Sequence, residues 1–74
     1  MGKYGKYVKT ENIRSARKNK HILIADIIAK MGLTSRVSYY NIENGIVEPR
    51  ISQMIILSEI LEEPVHHLFN LENR

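Results

Sequence analysis

The chain has 74 residues, no cysteine and a formal net charge of +3, which limits it to one small domain near the lower size at which a core suffices without staples. Disulfides and thiolate metal sites are excluded, and the lack of cysteine fits a reducing compartment. No leader or membrane span is expected: the longest apolar stretch, Ile22 to Ala29, contains Asp26 and falls far short of the roughly 20 residues that cross a bilayer.

The charge is polarised along the chain. Residues 1–21 hold seven of the eleven Lys and Arg side chains against one acid, Glu11, whereas residues 22–74 hold four against seven acids. Basic charge gathered at one end suits contact with a polyanion, and a solvated, solubilising tail accounts for it equally well. The first nine residues, MGKYGKYVK, hold two glycines and no helical or strand period. They read as a basic arm, separate from a folded domain over 10–74, that orders on binding. Lys6 stands where an N-terminal acylation signal needs Ser or Thr, so lipidation is not expected.

Thr10 is the expected N-cap of a first helix reaching about Lys20, with Ile13 and Ala16 facing inward. A second helix is expected from about Leu23 to Met31, where Ile24, Ile27, Ile28 and Met31 recur at helical spacing and Gly32 supplies the stop. Thr34 or Ser35 caps a third helix in the run SRVSYYNIENG, which ends at Asn44-Gly45. Pro49 forbids helix immediately before itself. A fourth, strongly apolar helix then runs from about Ile51 to Leu61. A short last helix begins near Pro64, a residue suited to a first turn, and ends near Asn70. No strand pattern, repeat or linker is visible. Five short helices joined by tight turns make a compact all-α domain.

The third helix is the most informative element. Tyr39 and Ile42 point inward, leaving Arg36, Ser38, Tyr40 and Asn41 for a partner. Tyr39 and Tyr40 lie about 100° apart on a helix, so they cannot both face outward. In a small basic chain such a helix reads as a DNA-reading element. Nothing points to an enzyme: there is no Gly-rich phosphate cradle and no nucleophile–base arrangement. His66 and His67, adjacent on a helix, diverge, and His21 is isolated, so no metal site is expected.

With these elements in place, the chain resembles the Cro/CI-type (XRE-like) helix-turn-helix family of phage and bacterial transcription regulators. The resemblance runs from about Ile13 to Phe69. It rests on the spacing of Ile13, Arg14, Arg17, Ile22, Ile27 and Gly32, then on Ser35-Arg36, the IENG run at Ile42 to Gly45, Pro49, ILSEIL and HLF. Between Gly32 and Ser35 the chain has one residue more than the family pattern.

The resemblance implies a five-helix lambda-repressor-like domain whose third helix enters the major groove. On that basis Arg36 is the leading base reader, since a guanidinium bridges guanine O6 and N7, and Ser38, Tyr40 and Asn41 join it. Thr34, Ser35, Asn44 and Arg50 are implied phosphate contacts, which hold register without reading sequence. Arg17 is implied to pair with Glu43, joining the first helix to the third, and to reach a phosphate as well. Tyr39 occupies an aliphatic core position of the family. Lys3, Lys6 and Lys9 either follow the backbone or minor groove, or dangle.

The family starts its second helix with a polar cap and a phosphate-touching Gln, where this chain has Leu23 and Ile24. Two readings remain: that contact is absent, or the helix is shifted and its apolar start is covered by Tyr4, Tyr7 and Val8. On the fourth helix, Ile56 and Ile60 exceed what one small core needs and mark a candidate homodimer patch.

The implied protein is a cytoplasmic, nucleoid-associated, sequence-specific double-stranded DNA-binding regulator. It would be a repressor of prophage, plasmid or other mobile-element type, dimeric on a palindromic operator, with no cofactor and no small-molecule ligand. Two readings compete with it. One is a protein-interaction module of antitoxin or anti-repressor type that exposes Leu23 and Ile24, and the other is a non-specific nucleic-acid binder driven by the arm.

Overall fold

The computed structural model describes residues 8–70, and among these are α1 (Thr10–Asn19), α2 (Ile24–Met31), α3 (Arg36–Glu43), α4 (Ile51–Leu61) and α5 (Val65–Leu68). Each of the first four buries one stripe at helical spacing: Ile13 and Ala16 on α1, Ile24, Ile27 and Met31 on α2, Tyr39 and Ile42 on α3, and Met54, Leu57 and Leu61 on α4. Leu68 and Phe69 close the core from the chain end, and Val8 joins them. Among the described residues no helix is long and apolar enough to cross a membrane.

The helix ends follow one geometry. After α1, α2, α3 and α4 the chain enters the left-handed region at His21 (φ 54°), Gly32 (φ 69°), Gly45 (φ 77°) and Glu62 (φ 57°). In each case the next residue donates its backbone N–H to a carbonyl five residues back: Ile22 to Arg17, Leu33 to Ile28, Ile46 to Asn41, and Glu63 to Ser58. This is the Schellman closure, which satisfies carbonyls that the helix leaves orphaned and reverses the chain within a few residues.

The helix starts differ from expectation in two places. Thr10 is the first residue of α1 rather than its cap, because its hydroxyl is taken by a tertiary partner, donating to the Glu43 carbonyl at 2.7 Å. Leu23 is not inside α2 but precedes it, with no side-chain cap. It stays 65% exposed while Ile24 is buried. The turn between α2 and α3 runs from Gly32 to Ser35, and in it Leu33 packs against the core.

Val8 and Lys9, placed in the arm by composition, belong to the folded body. Val8 forms an antiparallel bridge with Phe69, and the Lys9 N–H donates to the Leu68 carbonyl at 2.9 Å. Lys9 Nζ donates to the His66 carbonyl and Asn12 Nδ2 to the His67 carbonyl. Lys3, Lys6, Tyr4 and Tyr7 lie outside the described residues.

Candidate nucleic-acid interface

α3 begins at Ser35, whose extended backbone (φ −161°) and hydroxyl form the cap, with Oγ accepting from the Ser38 N–H at 3.3 Å. Ser38 Oγ closes the cluster, 3.3 Å from Ser35 Oγ and 3.5 Å from Thr34 Oγ1. Successive helical residues turn by about 100°. Tyr39, Ile42 and Glu43 therefore share the buried side, and the opposite side is centred on Val37. That side presents Arg36, Val37 and Tyr40 to solvent, with Asn41 half-buried at its edge. The Tyr40 ring tilts against Tyr39, the centroids 5.7 Å apart.

The far end of α3 is fixed to α1. The Glu43 carboxylate is 1% exposed, and burying such a charge is tolerable only with close donors. Four reach it: Tyr39 Oη at 2.7 Å, Arg17 Nε at 3.1 Å, Arg14 Nε at 3.3 Å and Arg17 Nη2 at 3.5 Å. Arg14 Nη2 also donates to Asn44 Oδ1 at 2.8 Å. Burial raises the Tyr39 pKa above its ordinary value, and the hydrogen bond and charge of Glu43 push it the same way. Burial works against the Arg17 charge, but Glu43, through its hydrogen bond and charge, outweighs that and leaves the Arg17 pKa raised.

The residues singled out in the sequence thus fall into distinct groups. Arg36, Tyr40 and Asn41 lie on or beside the outward side of α3, whereas Ser38 turns into the cap cluster with Ser35 and Thr34. Arg17 and Asn44 are engaged by the Glu43 network, leaving 12% of the Arg17 side chain to solvent. Arg50 is exposed at the start of α4. With Asn41, Val47, Gln53 and the end of α2 it borders an open cleft of about 470 Å³ between α2, α3 and α4. Lys9 is drawn to the chain end instead of pointing away from it.

On α4 the apolar surplus is displaced from its expected register. Ile56 and Ile60 are half-buried against the core, and the exposed aliphatics of that helix are Ile51 and Ile55. α2 packs against α4, and Ile56 borders the cleft between them together with Met31. His67 Nδ1 lies 3.8 Å from Glu63 Oε1, and among the described residues no three His, Cys, Asp or Glu side chains gather as a metal group would need.

Three participants escaped the sequence reading: Val37, Arg14 in the Glu43 network, and the Tyr39 hydroxyl. Spacing held a signal for each. Val37 sits opposite the buried stripe, Tyr39 and Glu43 are four apart on one helix face, and Arg14 is one turn before Arg17.

The model of the helix-turn-helix family matches residues 13–68. No curated protein and no solved structure shows a significant match to the chain. The matched segment contains the whole of α2, α3 and α4 together with the Arg14, Arg17 and Glu43 network. With that match over most of its length, the chain belongs to the helix-turn-helix family of Cro/CI (XRE-like) type, a class of DNA-binding transcription regulators.

Proposed function

We propose that the protein is a sequence-specific repressor of phage or mobile-element type, cytoplasmic and nucleoid-associated, that occludes promoters by laying α3 in the major groove. The observation that carries this reading is the outward side of α3. Arg36, Val37 and Tyr40 stand exposed on a helix whose other end is held to α1 through Glu43, so the reading groups are presented on a fixed frame. Arg36 takes guanine O6 and N7, with Tyr40, Asn41 and Ser38 beside it. Thr34, Ser35, Arg50, Asn44 and Arg17 serve the phosphates, and Lys3, Lys6 and Lys9 add charge from the N-terminal side.

A second copy completes the operator complex. Ile51 and Ile55, four residues apart on the exposed side of α4, supply a self-complementary apolar strip of the kind a two-fold dimer uses. Two reading helices then meet half-sites one DNA turn apart.

Selection of bound duplexes from a random pool at near-physiological salt tests the reading. An enriched inverted repeat with half-site centres about 10 bp apart supports the dimeric repressor, and an enriched single half-site keeps the regulator without the dimer. Weak binding to every sequence that vanishes as salt rises would overturn specificity. Arg36→Ala should cost about 1–3 kcal/mol on the selected site and relax choice at one base pair, and equal loss on all sequences would remove its base-reading role.

One observation favours the protein-interaction reading: Leu23, Ile46 and Val47 are exposed aliphatics outside α3. Ile24 is buried, so only half of the apolar pair expected at the start of α2 is available to such a partner. Salt-insensitive capture of a protein, without DNA binding, is the result that reading requires.

A further inference from the structure

We propose that Val37 reads thymine in the major groove through the 5-methyl group of the base. The inference rests on the DNA reading above and specifies the chemistry of the half-site.

Val37 is 66% exposed, more than any other large hydrophobic among the described residues. It stands in the first turn of α3, opposite the buried Tyr39, Ile42 and Glu43. That half of a reading helix is the one that reaches base edges. Among the described residues Val37 belongs neither to the buried core nor to the aliphatics packed against it.

Its surroundings identify the partner. On the outward side of α3 its neighbours are Arg36, Tyr40 and Asn41, all hydrogen-bonding groups. The other exposed aliphatics belong to the approach to α2 (Leu23), the loop after α3 (Ile46, Val47) and α4 (Ile51, Ile55). A protein-docking surface sets aliphatic groups beside one another at its centre, whereas on the outward side of α3 Val37 is the one aliphatic residue, among side chains that all carry hydrogen-bonding groups. The floor of the major groove has the matching pattern. Its one apolar feature is the thymine methyl, flanked by thymine O4 and by N6 and N7 of the paired adenine. Asn41, four residues on and one turn along the same side, carries the amide that suits those adenine positions.

The test uses the full chain and a duplex enriched from the random pool, with each thymine of a half-site replaced singly by deoxyuridine, which removes only the methyl. At one thymine per half-site the wild-type protein should lose about three- to five-fold in affinity, the scale of one buried methyl group. Val37→Ala, at an exposed position that leaves the melting temperature unchanged, should show less than about a two-fold difference between the thymine and uracil duplexes there. With cytosine at that position, 5-methylcytosine should restore part of the wild-type binding. Equal binding of thymine and uracil duplexes at every position would overturn the inference while leaving the regulator intact, as would a variant as sensitive as the wild type. Failure to enrich any duplex would overturn the DNA reading itself.

Discussion

At the scale of single residues, Glu43 organises the molecule. Its carboxylate receives Arg14, Arg17 and Tyr39, and its backbone carbonyl receives Thr10. Tyr39→Phe removes one donor to a buried charge and should cost about 2 kcal/mol in urea unfolding. The pH dependence of that cost has a definite sign. Tyr39 has its native pKa raised above the ordinary value of 10.0, so above that pH the unfolded chain loses its phenol proton while the native chain keeps it. Its stabilising contribution is complete below about pH 10 and declines as pH rises from there towards the native pKa. Unfolding between pH 9 and 11 should therefore steepen in the wild type by up to about 1.4 kcal/mol per pH unit relative to Tyr39→Phe. Parallel profiles would deny the phenol this role. The pairing of Arg17 with Glu43 was named from the family pattern, in which both positions are recognisable. The tyrosine hydroxyl was not, because the family places an aliphatic residue there and the reading stopped at packing. Arg14 was missed since a second cation is superfluous for neutrality and is explained only by the geometry of a carboxylate with several lone pairs to fill.

At the scale of elements, the closures of the helices set the shape. Gly32 and Gly45 meet the left-handed requirement without strain, but His21 and Glu62 adopt φ of 54° and 57° with a Cβ attached. His21→Gly should stabilise the domain by about 0.5–1 kcal/mol, the relief of a left-handed side chain less the added freedom of the unfolded chain. Chemical denaturation reads this directly, and a loss would show that the imidazole contributes more than its backbone costs. Helix positions were legible because apolar spacing and glycine stops agree. The ends of α1 and α4 fall within a residue of where the sequence placed them, but their left-handed closures at His21 and Glu62 were not marked by composition, since nothing in His or Glu announces a left-handed residue. The start of α1 was misassigned for a related reason: Thr10 has the chemistry of a cap, and a tertiary acceptor, the Glu43 carbonyl, outcompetes the local one.

At the scale of the whole molecule, charge and apolar surface are distributed differently from their order along the chain. Of the basic residues before Ile22, Arg14 and Arg17 face Glu43, Lys20 faces Glu62 and Lys9 the His66 carbonyl, so much of the N-terminal basicity is structural. The apolar surplus of α4 was legible as a surplus, because a helix this apolar cannot bury every side in a single small core. Its position was not, since which flank is covered depends on where α2 lies across α4. Ile55 is 47% exposed, so Ile55→Asp should leave the monomer folded. In the dimer reading it lowers affinity for an inverted repeat by at least about ten-fold while leaving single half-site binding unchanged. Unchanged binding to the repeat, measured by titration, would place the dimer contact elsewhere.

The attachment of α3 has a mechanical consequence. Among the described residues, the hydrogen bonds joining α3 and its cap to other helices end on Glu43 and Asn44, while those of the Ser35 end are local. Tyr39 and Ile42 pack the middle of the helix into the core, and the directional bonds to α1 make a pivot at its C-terminal end, with Arg36 about 10 Å away at the rise of 1.5 Å per residue. A 5° rotation at the pivot swings the first turn by about 0.9 Å, more than the roughly 0.5 Å tolerance of a binding constellation. In the DNA reading, substitutions on α1 that shift Arg14 or Arg17 therefore retune base choice without touching any residue on the outward side of α3.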